Sequence, residues 1–213
     1  MTFSLRQKIL AEFIGTYFLV LTVVGSGIMG ELMSNDLGII LLGNTIATGA
    51  ILYVIISMFI NISGAYFNPA VVLSDIIQKN IPINYGIVFI ITQIIAAIFG
   101  CLTANWYFEY PIIEWSLNER VGVFKFFSEI IATVGLLLTI FILKEVNKDR
   151  IAIGVALFIT AGYWFTSSTS FANPAVTIGR MFTDSFSGIS PSSVLGFILA
   201  QIIGALIATI IVR

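Results

Sequence analysis

Hydrophobic residues in this chain run continuously, in six long stretches separated by short polar breaks, and show neither the period-two alternation of a half-buried strand nor the striped pattern of a surface helix. The stretches are Ile9 to Met29, Ile39 to Ile60, Asn84 to Tyr107, Val123 to Leu143, Ile151 to Ser168 and Ser192 to Val212. A helix crosses a hydrocarbon core of about 30 Å with around 20 residues, so each is long enough to span a bilayer. The pattern predicts an all-α membrane protein of six transmembrane helices. The first run is long and lacks a small-residue cleavage site, so no cleavable signal peptide is expected.

Two stretches fit neither a span nor an ordinary loop. After the second span comes Ser63-Gly64-Ala65-Tyr66-Phe67-Asn68-Pro69-Ala70-Val71-Val72-Leu73, and after the fifth comes Ser170-Phe171-Ala172-Asn173-Pro174-Ala175-Val176-Thr177-Ile178. Each places Asn at a helix N-cap and Pro at the first helical position, followed by an apolar run of only two or three turns. Each predicts a re-entrant half-helix.

These motifs belong to an internal duplication. Glu12-Phe13-Ile14-Gly15-Thr16 is echoed by Glu129-Ile130-Ile131-Ala132-Thr133, and Gln93-Ile94-Ile95-Ala96-Ala97 by Gln201-Ile202-Ile203-Gly204-Ala205. The two Asn-Pro-Ala motifs lie 105 residues apart. The whole chain, 1–213, reads as one channel domain built from repeats at about 1–107 and 123–213. Three spans per copy force the copies to enter from opposite faces, as in inverted-repeat transport proteins. The half-helices, at roughly 16 Å each, then meet near the midplane.

Composition removes other classes. Of 213 residues, 58% are hydrophobic and 10% charged, too little polar surface for a water-soluble domain. With no His and one Cys, the chain lacks the ligands of a catalytic zinc or haem and the base of a His-assisted nucleophile, so neither metal, cofactor nor enzymatic step is expected. Cys101 reads as a small packing residue. The net charge is −1 and the basic residues are scattered, which argues against nucleic acid. With the N-terminus cytoplasmic, seven of the ten basic residues (Arg6, Lys8, Lys79, Lys144, Lys148, Arg150 and Arg213) lie inside and Arg120, Lys125 and Arg180 outside, so both termini are expected in the cytoplasm.

The paired Asn-Pro-Ala motifs, the Glu-Xaa-Xaa-Gly/Ala-Thr echo and the inverted repeat together resemble the aquaporin, or major intrinsic protein, family, over nearly the whole chain. The resemblance implies an aquaporin-like fold, a multi-pass protein of the plasma membrane and a homotetramer with one pore per protomer. It implies that Asn68, Pro69, Ala70, Asn173, Pro174 and Ala175 form the pore centre, and that Glu12 and Glu129 accept hydrogen bonds from the re-entrant loops. Helix N-termini and Asn amides facing a lumen attract the oxygens of water or a polyol and repel cations and protons.

Counting without gaps from the motifs assigns the four filter positions of the family to Thr48, Ala161, Ser170 and Val176, with Gly162 replacing Ala161 if the count slips by one. Here the chain departs from its relatives, which usually carry Arg at the last position and aromatics or His among the others. Thr177 also stands where glycerol facilitators have Asp. Small side chains and the missing guanidinium predict a wide, moderately polar opening. Arg180, one turn beyond Val176 on the same helix face, is expected at the outer vestibule, or else as a snorkelling residue or a partner for Asp184.

The expected function is passive passage of water and small uncharged solutes such as glycerol, urea or metalloid hydroxides, arsenite among them, with ions and protons excluded. A strict water channel is the alternative. A secondary transporter shares the repeat but needs a midplane coupling site, and an intramembrane enzyme lacks its usual residues.

Overall fold

A computed structural model describes residues 3–213, and every regular element among them is helical. The long helices are α1 (Leu5–Met33), α2 (Leu37–Phe59), α4 (Ile83–Tyr107), α5 (Val123–Val146), α6 (Ile151–Phe165) and α8 (Pro191–Ile211). The two short ones are α3 (Pro69–Ile77) and α7 (Pro174–Gly179), the latter continued by a 3-10 turn, Arg180–Phe182. Five of the long helices are apolar and long enough to cross a membrane. The sixth, α6, has 15 residues and stops short of the expected Ser168. Thr166 turns extended (φ −111°, ψ 141°) while its hydroxyl donates back to the Gly162 carbonyl at 2.7 Å, which ends the helix.

Packing follows the order of the elements. α1 lies against α2 and α4, and α5 correspondingly against α6 and α8. The two halves meet where α2 packs on α6, and each half-helix is gripped by the fourth helix of both halves, α3 and α7 alike between α4 and α8. Small residues allow the close approaches. A Cβ on Gly179 would lie 2.8 Å from the Ala97 carbonyl oxygen, and one on Gly204 2.8 Å from that of Ile130, so α7 seats on α4 and α8 on α5 backbone to backbone.

Polarity is inverted relative to a soluble protein. Glu12, Gln93, Glu129 and Gln201 are buried, whereas Phe99, Phe124, Leu157 and Trp164 are exposed on the outside of the bundle. Such an exterior suits a hydrocarbon solvent, where buried polar groups must find partners inside the protein.

Candidate functional site: a pore between two half-helices

The segments leading into the half-helices have a backbone that repeats between the halves. Phe67 and Ala172, each directly before its Asn, both have φ +48°, and Ala65 and Ser170 have φ +52° and +51°. The left-handed region costs a residue with a Cβ roughly 1–2 kcal/mol, so both loops need external support. The buried glutamates supply it. Glu12 accepts from Ser63 Oγ (2.6 Å), Tyr66 N (3.0 Å), Phe67 N (2.8 Å) and Gln93 Nε2 (2.7 Å). Glu129 accepts from Phe171 N and Ala172 N, both at 2.9 Å, and from Gln201 Nε2 at 2.7 Å. Each carboxylate thus ties its own loop to the fourth helix of its own half.

Asn68 and Asn173 begin α3 and α7. Their Oδ1 atoms accept from Ala70 N (2.9 Å) and Ala175 N (3.0 Å), with Pro69 and Pro174 at the first helical position. Their amide nitrogens reach across the pseudo-symmetry: Asn68 Nδ2 donates to Ala172 O and Asn173 Nδ2 to Phe67 O, each at 2.8 Å. The left-handed residues before each Asn therefore turn their carbonyls toward the opposite Asn. One N–H of each amide is used in this exchange; the second belongs to a side chain that borders the cavity described next.

A cavity of about 500 Å³ runs between the halves and past both asparagines. At one end it is bordered by Asn61, Asp75, Lys144 and Lys148, and at the other by Thr48, Tyr163, Ser170, Phe171, Val176 and Arg180. Most of its wall is apolar, with Val23, Leu52, Ile56, Val71, Val155 and Ile159 between the polar ends. An apolar tube with a few placed donors lets a solute pass without being held.

Of the four counted filter positions, Thr48, Ser170 and Val176 border this cavity and Ala161 does not. Ala161 is exposed on the outside of α6. The face of α6 that looks inward is Ala152, Val155, Ile159 and Tyr163, spaced by three and four. Residue 161 lies two positions from both 159 and 163, about 200° around the helix. Gly162 is buried against Ser170, whose Oγ would lie 2.6 Å from a Cβ there. In place of a small side chain, the wall carries Tyr163, whose hydroxyl is 3.1 Å from Thr48 Oγ1. This end of the cavity is therefore narrower and more polar than counting implies. The spacing Val155, Ile159, Tyr163 was the signal for it, since it continues one helix face up to a polar tip.

Arg180, Phe171 and Arg120 form a cluster at the same end. Arg180 is 2% exposed, its Nε donates to Ser187 O, and its guanidinium carbon lies 3.5 Å from the centre of the Phe171 ring. The alternatives of a snorkelling residue or an Asp184 partner do not hold: Asp184 instead accepts from Leu117 N at 2.8 Å. Arg120 sits 5.1 Å from the centre of the same ring, with Nε on Gly188 O (2.9 Å) and Nη2 on Phe186 O (3.2 Å). Burial pulls the Arg120 guanidinium below its ordinary value, with Glu129 and Tyr163 acting in the opposite sense. At the far end, Asp75, the repeat counterpart of Arg180, accepts from Tyr66 Oη (2.9 Å) and Asn80 Nδ2 (2.8 Å) and pairs with Lys144 at 3.3 Å. Among the described residues there is no cluster of His, Cys, Asp or Glu that could hold a metal ion.

Comparison with known proteins bears on this geometry. The sequence model of the family described as Major intrinsic protein matches residues 1–151. The chain is 41% identical over 211 residues to the aquaglyceroporin AqpS of Rhizobium meliloti, covering 99% of this chain and 91% of that one. It is 34% identical over 183 residues to a probable TIP-type aquaporin of Medicago truncatula, covering 80% and 72%. The X-ray structure of the aquaglyceroporin from Plasmodium falciparum shares the fold, with a TM-score of 0.75 over 97% of this chain and 94% of that one at 22% identity.

Proposed function

The chain belongs to the major intrinsic protein family, and on that premise we propose that the cavity between its two half-helices is the route by which this membrane channel passes water and small uncharged solutes. The observation that carries the reading is the reciprocal Asn68 and Asn173 exchange in the middle of a continuous cavity. Each amide has one N–H committed to protein and one for a passing oxygen. The half-helix N-termini add partial positive charge at the same level. A water held by two fixed donors there presents its lone pairs to both, which breaks the hydrogen-bonded chain that protons would follow, and cations meet only donors.

Glu12 and Glu129 act as loop supports rather than as a relay. Their oxygens are occupied by four and three donors respectively. A coupling site of a secondary transporter needs a carboxylate free to exchange its ion. The inside-positive count places the Asp75 end in the cytoplasm with both termini, and the Arg180 end outside as an outer vestibule. The chain then forms one channel domain of two inverted repeats, about 1–107 and 123–213, set in the plasma membrane as a homotetramer.

For the solute, Val176 in place of a guanidinium leaves room at the outer constriction, which favours glycerol, urea or undissociated metalloid hydroxides alongside water. A strict water channel is the second reading, and the Tyr163 side chain at the outer end favours it. Stopped-flow light scattering on proteoliposomes separates the two: glycerol, urea and boric acid entry is compared with osmotic water flux, beside Val176→Arg. Solute entry that the variant lowers by about tenfold supports the wide channel with its constriction at Val176; fast water flux without solute entry supports the strict one.

A further inference from the structure

We infer that Arg180 is the specificity-determining residue of the outer constriction, supplying from one helical turn beyond Val176 the fixed positive charge and paired donors that position 176 lacks. The inference rests on the channel reading above and assigns the chemistry of its outer end.

Arg180 begins the 3-10 turn that continues α7, so it lies on the same face as Val176 and borders the same cavity. Its guanidinium is oriented by two contacts, one of them braced in turn. Nε is committed to the Ser187 carbonyl, one face lies on the Phe171 ring, and that ring is itself wedged edge-to-face against Phe197, with centroids 5.1 Å apart. Arg120 stacks on Phe171 as well and ties down the Phe186 and Gly188 carbonyls on either side of Ser187. The segment that carries the acceptor for Arg180 Nε is therefore held by a second arginine, whose Nη1 also donates to Thr169 Oγ1 at 3.5 Å. What remains of Arg180 is the terminal edge of the fork, whose nitrogens donate to no group among the described residues.

The charge is also uncompensated. The ion pair formed among the described residues is Lys144 with Asp75, at the opposite end of the cavity. The seventh residue after each Asn thus carries a buried charge, and among the described residues the acidic one has a salt-bridge partner and the basic one has none. A guanidinium that is 2% exposed and unpaired is costly in a sealed interior, and its terminal edge faces the one place where a polar visitor can solvate it. The same cavity is bordered by Thr48 and Tyr163, whose hydroxyls lie 3.1 Å apart. A fork of donors opposite hydroxyls that donate or accept suits a neutral solute carrying several hydroxyl or amide groups. It opposes a cation, which meets a positive charge in a narrow, weakly screened passage.

The test reconstitutes wild type, Arg180→Gln, Arg180→Lys and the double variant Val176→Arg/Arg180→Val in liposomes. It reads sodium and proton leak with trapped dyes and the ranking of glycerol, urea and boric acid entry. Arg180→Gln is expected to raise cation and proton leak by about tenfold or more, and the double variant, which returns the charge one turn earlier, to bring it back. Arg180→Lys keeps the charge without the planar fork, so leak stays within about threefold of wild type while the solute ranking changes. Leak in Arg180→Gln equal to wild type overturns the inference. Should that variant fail to fold, an unchanged solute ranking in Arg180→Lys overturns it instead. A wild type that admits no solute and no water overturns the channel reading itself, and the inference with it.

Discussion

Glu12 shows how much one side chain can hold in a setting without solvent. Its two oxygens take four donors from two separate segments, three from the loop at Ser63 to Phe67 and one from Gln93 on α4. Removing the acceptor strands several buried donors at once, each at about 1–3 kcal/mol. Glu12→Ala is therefore expected to lower the thermal midpoint of the detergent-solubilised protein sharply and to abolish water flux. Glu12→Gln retains one carbonyl acceptor and should fall between. Equal stability of wild type and Glu12→Ala in a thermal unfolding scan would contradict the clamp. Glu12 and Glu129 are recognisable from sequence as a pair because they recur in matching helices, as do Gln93 and Gln201, whereas their backbone donors at Tyr66, Phe67, Phe171 and Ala172 carry no side-chain signal and are presented by loops with left-handed residues.

Between elements, the α3 to α7 junction depends on the two amides, and its polarity is testable by one substitution. Asn173→Asp keeps the acceptor that caps Ala175 and Val176, and a negative charge at a helix N-terminus is favourable. It removes the donor to Phe67 O and puts an anion beside the cavity. The expected outcome is a folded channel whose sodium leak rises by about tenfold in a flux assay. The other inter-element tie, Lys144 on α5 to Asp75 at the end of α3, involves a Lys side chain 37% exposed. The lysine end is partly screened and Asp75, though buried, keeps its Tyr66 and Asn80 donors, so Lys144→Met should leave the thermal midpoint within a few degrees of wild type. A drop much larger than that would mean the pair acts as a structural latch on α3.

For the whole molecule, an odd number of crossings in each half returns the chain to the face on which it began. In a Cys101→Ser background, single cysteines at Ser4 and Arg213 should react with an impermeant thiol reagent from the same side of the membrane, and one at Ile113 from the opposite side. Labelling of Ser4 and Arg213 from different sides would remove the six-crossing topology. The apolar exterior, with Phe99 exposed on α4 and Leu157 and Trp164 on α6, offers surface to lipid. Light scattering of the detergent complex is expected to give four chains per particle.

The spans, the half-helices and the all-helical class could be read without coordinates, because each depends on the solvent a segment meets. A bilayer demands long uninterrupted apolar runs, and Asn-Pro at a helix start has a local reason that needs no neighbours. The membership of the pore wall was a different matter. Each residue of α6 turns the helix face by 100°, so a slip of one or two positions between the span and its motif moved the expected wall residue from Tyr163 to Ala161. Phe171 seats Arg180 from the segment leading into α7, and Arg120 reaches the same ring only because the loop before α5 folds over the end of α7. Hydropathy along the chain thus determined which segments enter the membrane. Rotation of each helix about its axis and the path of the connecting loops, set by packing across the whole bundle, decided which side chains face the solute.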